Sequence, residues 1–413
     1  MQYKLFATSA IDDFNGKIEL SELFEAYYNC RSNKRNTINA LAFEVDYESN
    51  LVQLCQEINN NTYQIGKSIA FIVNKPVVRE IFAADFRDRI VHHLLINKLN
   101  YYFEKEFIHD SYACRVGKGT HFGIKRVNDF IRKCSKNYTA NCYILKLDVL
   151  GFFMHINRNL LFNRLQKFIL EKYVLPDRAL VLELCSKIIF NDPIQNCHIK
   201  GDKKDWKALP KNKSLFHSPP DCGLPIGNLT SQVFANFYMN TFDHFVKKEL
   251  GIKYYGRYVD DFVVVHSDLE YLKSLIPILS NFLLLGNIKT PLSNLQLTLH
   301  PKKIYLQHYS KGVQFLGTII KPNRIYIASR TKGNFYARIQ IQNEVVKKVK
   351  PDKSAQSNFL SSMNSYLGIM KHYKSYKLRE GMVFKHLAGW WWKYVCMNKG
   401  LTKFAIKSRT NRK

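Results

Sequence analysis

The sequence predicts an α+β protein, with one antiparallel sheet carrying helices on one face. The order of patterned segments through residues 142–284 is strand–helix–helix–strand–strand–helix. That order differs from the alternation of a doubly wound sheet. The chain has 413 residues, enough for two or three lobes with a sizeable core. Its apolar content of 46% is ordinary for a globular protein and argues against wholesale disorder.

The elements follow from periodicity. In "IELSELFEAYYNCR" (18–31), Leu20, Leu23, Phe24 and Tyr27 fall on one helical face. "NLVQLCQEINN" (50–60) is a second amphipathic helix. "SIAFIVN" and "PVVREIFAAD" (68–85) read as two strands joined by a turn. Long helices are predicted over 86–107 and 120–134. "CYILKLDVLGFF" (142–153) reads as an apolar strand, and helices follow near 157–172 and 177–190. Residues 191–223 are polar and irregular, long for a structureless loop, and such loops tend to be functional. A helix is predicted over 228–250. "YYGRYVDDFVVVHSD" is strand, turn, strand, and "LEYLKSLIPILSNFLL" is helical. "LQLTLHPKKIYL" and "VQFLGTIIKPNRIYI" are strands. Beyond Ala328 the pattern is helical to near residue 398, and "KSRTNRK" is a frayed basic tail. No internal repeat is evident.

Charge points to the partner. Lys plus Arg number 62 against 33 Asp plus Glu, a net +29. Residues 330–413 hold 19 basic and 3 acidic side chains. Such a surplus predicts a polyanion, nucleic acid first, bound in a salt-sensitive way. The nine cysteines are scattered with no C-x-x-C pair, which predicts reduced thiols in a cytoplasmic protein. The first residues carry two acids and no apolar run, unlike a signal peptide. No apolar run approaches a membrane span.

The chemistry centres on "YVDD". Asp260 and Asp261 sit between short apolar runs, where unpaired carboxylates are destabilising. A tight turn lets both reach one edge. Asp148 is the third candidate, set between Leu147 and Val149 in a strand expected beside this hairpin. Three carboxylates on adjacent strands suit two magnesium ions about 3.5–4 Å apart. Such a pair activates an attacking hydroxyl and neutralises a leaving pyrophosphate. The competing reading makes Asp260 and Asp261 plain turn residues.

From about Lys75 to Gly317 the chain resembles a reverse transcriptase, with blocks in that family's order. They are "REIFAADFRDRIV" (79–91), "ILKLDVLGFF" (144–153), "GLPIGNLTSQVFANFYM" (223–239), "YVDD", "LHPKKIYL" (299–306) and "FLG" (315–317). The resemblance implies a right-hand polymerase making cDNA from a template RNA and deoxynucleotides. It implies a helical extension (1–66), fingers (67–141), a palm (142–327, with an insertion near 191–222) and a thumb with a basic tail (328–413). In place of the common Q-G and S-P pattern stands "IGNLTSQ", with Ile226 for Gln and Gln232 for Pro. That variant is similar to the reverse transcriptases of diversity-generating retroelements, which copy RNA with errors at adenines and work with a small accessory protein. Related sequences occur in antiphage-defence reverse transcriptases. A reading of another class is a non-catalytic nucleic-acid binder on a polymerase scaffold, against which the three intact aspartates argue.

The resemblance also assigns roles. Asp148 and Asp260 are the principal ligands of both ions, joined by Asp261 and the Val149 carbonyl. Arg79 and Arg87, with Arg89 as competitor, fall where the fingers meet the triphosphate; arginine offers fixed donors to phosphate. The bland reading of Arg87 is an ion pair with Asp85 or Asp88. Phe153 would exclude the 2′-hydroxyl, unless it is simply core. Ile226 and Gly227 would face nucleotide and template; isoleucine offers no polar readout there. Lys303, or Lys302, would protonate pyrophosphate. Phe315, Leu316 and Gly317 form the primer grip, glycine allowing close approach. In the C-terminal lobe "SYLGIMKHYKSYKLREG" (365–381) mixes basic and aromatic residues, as a nucleic-acid track does. "GWWWKY" (389–394) could stack bases, but on an α-helix its three tryptophans cannot share one face, and core is the simpler reading for them.

Overall fold

A computed structural model describes residues 16–32, 37–74, 77–287 and 293–407. The extreme N-terminus and the tail beyond Lys407 lie outside them. The described residues fall into two compact units. One draws on Met1–Val116, Leu147–Phe262 and Ser274–Ile304, the other on Gly117–Lys146, Val263–Lys273 and Tyr305–Lys413.

The chain opens with α1 (Leu20–Arg31), α2 (Ile38–Glu44) and α3 (Tyr47–Asn59). The apolar spacing of α1 buries Leu23, Ala26, Tyr27 and Cys30. Strands β1 (Ser68–Val73) and β2 (Arg79–Ala83) form the expected antiparallel pair, with Val73 opposite Arg79. Next, α4 (Phe86–Glu106) starts at Asp85, whose carboxylate accepts from the Arg87 N–H, an N-cap that satisfies an otherwise orphaned donor. Its buried residues include Ile90, Val91, Leu94, Leu95, Leu99 and Phe103. Then come α5 (Thr120–Cys134) and β3 (Tyr143–Asp148). β3 is shorter than the apolar run suggests. Gly151 takes a left-handed φ of 55° and starts α6 (Phe152–His155), so the two phenylalanines lie on a helical turn.

Helices α7 (Arg158–Lys172) and α8 (Arg178–Phe190) match their periodicity. The long polar stretch is more ordered than its composition implies. It contains β4 (Cys197–Ile199), parallel to β1, and three short 3₁₀ turns. Buried Glu80 pins it, accepting from Trp206 Nε1 at 2.7 Å, Ser214 Oγ at 2.8 Å and the Leu215 N–H. The helix expected over 228–250 breaks into α9 (Leu229–Tyr238), α10 (Asn240–His244) and a π-turn to Glu249.

Strands β5 (Tyr254–Tyr258) and β6 (Asp261–His266) flank the aspartate turn, and α11 (Leu269–Leu285) follows. β7 (Tyr305–His308) runs antiparallel to β3, giving a four-stranded sheet in the order β5-β6-β3-β7. β8 (Val313–Phe315), β9 (Thr318–Lys321) and β10 (Arg324–Ile327) make an antiparallel meander. The C-terminal segment holds α12 (Ser329–Lys348), α13 (Lys353–Met370) and α14 (Tyr376–His386) around a core of Phe335, Ile339, Phe359, Met363, Leu367 and Trp391. Its end is not helical. β11 (Val395–Met397) and β12 (Phe404–Ile406) form a small hairpin there, too short to read from alternation.

Among the described residues no helix is long and apolar enough to cross a membrane. None of the nine cysteines is in a disulfide.

Candidate active site

Asp148 ends β3, where its carbonyl accepts from the His300 N–H at 2.8 Å, and Val149 bridges Leu299. These links hold the "LHPKK" segment beside the strand end. They bring Lys303 Nζ to 2.8 Å from Asp148 Oδ1. Lys302 is exposed, its N–H directed at its neighbour His300 Nδ1. Of the two lysines, Lys303 is the one whose ammonium reaches Asp148.

Asp260 occupies the β5–β6 turn and Asp261 begins β6. The turn is sharp because Val259 takes a φ of 57°, a region that a β-branched residue rarely enters. Burial, followed by the neighbouring charges of Asp148 and Asp261, pushes the Asp260 carboxyl up to about 7; Lys303 acts in the opposite sense. Asp260 therefore lies within electrostatic reach of Asp148, Asp261 and Lys303.

Among the described residues no three His, Cys, Asp or Glu side chains are gathered closely enough to hold a metal as they stand. The donor chemistry nonetheless fits hard divalent cations: carboxylate oxygens with excess negative charge. Lys303 supplies part of the missing positive charge. Asp148, Asp260, Asp261 and the Val149 carbonyl are the groups that would hold magnesium.

The remaining candidates divide. Phe153 and Ile226 both pack against the cluster of Ala70, Phe82, Met154 and Leu215. Phe152 is buried, whereas Phe153 is half-buried, leaving the second ring as the one that can face a ligand. The Ile226 carbonyl accepts from the Phe82 N–H, which ties the "PIGN" loop to β2. Gly227 has a φ of 128°, and a Cβ there would meet Ile81 and the Phe82 carbonyl. Arg79 is exposed at the start of β2. Arg87 is paired with Glu57, so its partner is neither Asp85 nor Asp88. Asp88 instead turns inward, accepting from Tyr63 Oη at 2.7 Å and the Gly66 N–H at 2.9 Å. Arg89 Nε is buried without a hydrogen-bond partner.

In the other unit, Phe315 is buried and Leu316–Gly317 form the two-residue turn between β8 and β9, with φ of 46° and 81°. Two successive positive φ values define a type I′ hairpin turn. A Cβ on Gly317 would meet only Thr331 Oγ1, at 3.5 Å, so its backbone angle, more than crowding, calls for glycine. The three tryptophans lie on a 3₁₀ turn, Gly389–Lys393, where successive residues point about 120° apart. Trp391 is core, Trp392 stacks on Phe384, and Trp390 is exposed beneath the Lys393 ammonium. A core reading for all three holds fully only for Trp391.

Sequence reasoning missed Arg257 and Asp243. They form a fully buried ion pair at the root of the aspartate turn. A charged residue in a strand otherwise made of Tyr and Gly was the available signal.

A groove of about 740 Å³ lies elsewhere, between Tyr101, Cys114, Val116 and Val233, and includes none of the site candidates.

The sequence model described as reverse transcriptase (RNA-dependent DNA polymerase) matches residues 74–320. That is more than half of the chain, which therefore belongs to the reverse transcriptase family. The α+β architecture, largely antiparallel sheets with many helices, is the class expected from the sequence. Nuclear intron maturase 1, mitochondrial, of Arabidopsis thaliana is 29% identical over 106 residues, 25% of this chain and 14% of that protein. Apo telomerase from Candida tropicalis superposes with a TM-score of 0.47 at 14% identity, covering 79% of this chain and 60% of that one. Telomerase from Candida albicans, in complex with the TWJ fragment of telomeric RNA, gives 0.44 at 13% identity, covering 79% and 57%.

Proposed function

We propose that this protein is an RNA-directed DNA polymerase that extends a primer as cDNA on a template RNA. The observation that carries this reading is the charge-coupled group of Asp148, Asp260, Asp261 and Lys303 in a chain of the reverse transcriptase family. Residues 67–141 serve as fingers, 142–327 as palm and 328–413 as thumb, with 1–66 as an extension.

Two magnesium ions, when bound, supply an activated primer hydroxyl and neutralise the leaving pyrophosphate. The chain's own residues do the rest. Asp148, Asp260 and Asp261 present oxygens from one side of the reaction. Lys303 balances their charge and stands where it can hand a proton to pyrophosphate. The Phe153 ring lies under the sugar and leaves no room for a 2′-hydroxyl. Arg79 and Arg87 meet the triphosphate, Arg87 after leaving Glu57. Phe315, Leu316 and Gly317 steady the primer end.

Ile226 supports the finer reading of an error-prone enzyme in a diversity-generating retroelement. Its apolar side chain, packed on the same cluster as Phe153, offers no hydrogen bond with which to test a base pair. In that setting the partners are the template RNA and a small accessory protein, in the cytoplasm. An antiphage-defence enzyme would use the same chemistry on another template.

The test is sequencing of cDNA made by the purified protein on a defined RNA with magnesium and four deoxynucleotides, D260N serving as control. Product with errors clustered at template adenines, reduced in I226Q, is expected. Accurate product would keep the polymerase and remove the diversification reading. Product from D260N would remove the metal assignment.

A further inference from the structure

We propose that Arg257, clamped by Asp243, is a positioning residue that holds the Asp260-bearing turn in its working shape. The inference rests on the polymerase reading of Asp260.

The turn is held against its own preference. Val259 has a φ of 57°, a region in which a β-branched residue is strained. Left alone, the Val259 backbone would move toward the extended region and carry Asp260 with it. Arg257 opposes that motion directly: its Nη1 donates to the Val259 carbonyl at 2.9 Å. This bond spans the strained residue and fixes the peptide that leads into Asp260.

The guanidinium is itself immobilised. Nε donates to Asp243 Oδ1 at 2.7 Å and Nη2 to Asp243 Oδ2 at 2.5 Å. Nη2 also lies 3.4 Å from Ser111 Oγ and from the Asn236 carbonyl. Tyr255 Oη donates to Asp243 Oδ1 at 2.6 Å. The Arg257 backbone is bracketed too, its N–H on the Asp110 carbonyl and its carbonyl on the Tyr112 N–H, both at 2.9 Å. Both side chains of the ion pair have no exposure. A pair buried this deeply adds little stability over well-packed apolar residues, whereas its fixed fork can impose one geometry. Two rigid ends with a strained residue between them are what a precise carboxylate position requires. Misplacement of a reacting group by about 1 Å can cost about 100-fold in rate.

A double-mutant cycle tests this with R257K and V259G. Glycine accepts a positive φ without a Cβ penalty, so the turn of V259G does not depend on the clamp. Three quantities are read for each form: single-turnover nucleotide addition, Mn²⁺ affinity of the free protein by electron paramagnetic resonance, and melting temperature. In the wild-type background R257K should slow addition by about 10- to 100-fold and weaken Mn²⁺ binding. In the V259G background both losses should shrink several-fold, while the fall in melting temperature stays the same. Equal losses in the two backgrounds would overturn the proposal and leave Arg257 a stability residue. D243N replaces R257K if the lysine form does not fold. The Mn²⁺ measurement needs no turnover, so a wild type that makes no cDNA would count against the polymerase reading while the cycle still decides the clamp.

Discussion

Replacing Asp260 with asparagine should make the metal-free protein more stable above neutral pH, although it abolishes catalysis. The Asp260 carboxyl is raised from 3.8 to about 7, chiefly by burial and then by Asp148 and Asp261. In the unfolded chain it ionises near its ordinary value. Between these two values the folded state holds a proton that the unfolded state has released, so stability falls as pH rises. The loss is absent below about pH 4, grows through the interval and levels off above about pH 7. A rise of about 3 units corresponds to about 4 kcal/mol at 1.36 kcal/mol per unit. Asparagine escapes this penalty but keeps the shape. D260N should therefore melt with wild type at pH 4 and above it at pH 8 in the presence of EDTA. Magnesium should reverse the order, because it stabilises only the form that binds it. The assay is denaturant or thermal unfolding at the two pH values, with EDTA and with magnesium. Equal stability at pH 8 would show that neither burial nor the neighbouring carboxylates raise the Asp260 carboxyl. Equal stabilisation of both forms by magnesium would show that the ion binds elsewhere.

Further outcomes follow from the same geometry. F153V should raise ribonucleotide incorporation by about tenfold or more, read by primer extension with mixed nucleotides; unchanged sugar selectivity would make Phe153 a packing residue only. K303A should slow single-turnover addition by about 100-fold, while K302A stays near wild type, because only Lys303 reaches Asp148. W390A should weaken binding of single-stranded RNA by about fivefold or more in fluorescence titration, and W391A should instead destabilise the C-terminal core; the same affinity in W390A would leave the exposed ring without a nucleic-acid role.

Most of the element order was legible because it depends on local periodicity. The buried face of α1 and the extents of α4, α7 and α8 could be read directly, and the β5–β6 hairpin announced itself through "VDD". What escaped had a different cause. The insertion read as irregular because its order comes from distant partners: β4 pairs with β1, and the Glu80 carboxylate accepts from Trp206, Ser214 and Leu215. The C-terminal hairpin escaped because three-residue strands carry no alternation. The competing reading of Arg87, an ion pair with Asp85 or Asp88, drew on proximity in sequence; the carboxylate it pairs with, Glu57, is 30 positions away. The choice between Lys302 and Lys303 needed the 155-residue closure onto Asp148. Residue type and order could point to the aspartates, but only tertiary closure could say which lysine lies beside Asp148.

The two turns that carry the strongest positional expectations are both built on residues ill-suited to them. Val259 and Leu316 each take a positive φ, where glycine or asparagine would sit with less strain. Their solutions differ. Leu316 is followed by Gly317 in a two-residue hairpin whose backbone twist matches that of its strands, and the Gly317 carbonyl accepts from the Ala328 N–H at 3.0 Å. Backbone bonds of that kind hold the turn from outside. Val259 has a buried guanidinium on its carbonyl, anchored to a carboxylate that is fully enclosed. A hydrogen bond to a charged donor contributes about 1.5–3 kcal/mol, roughly twice a neutral one, which is comparable to the strain it opposes. The stronger restraint thus sits at the turn whose side chains must face one another as like charges. Repulsion among Asp148, Asp260 and Asp261 would otherwise drive that turn open whenever no cation is bound, and Lys303 alone reaches only Asp148 at hydrogen-bond distance among the three.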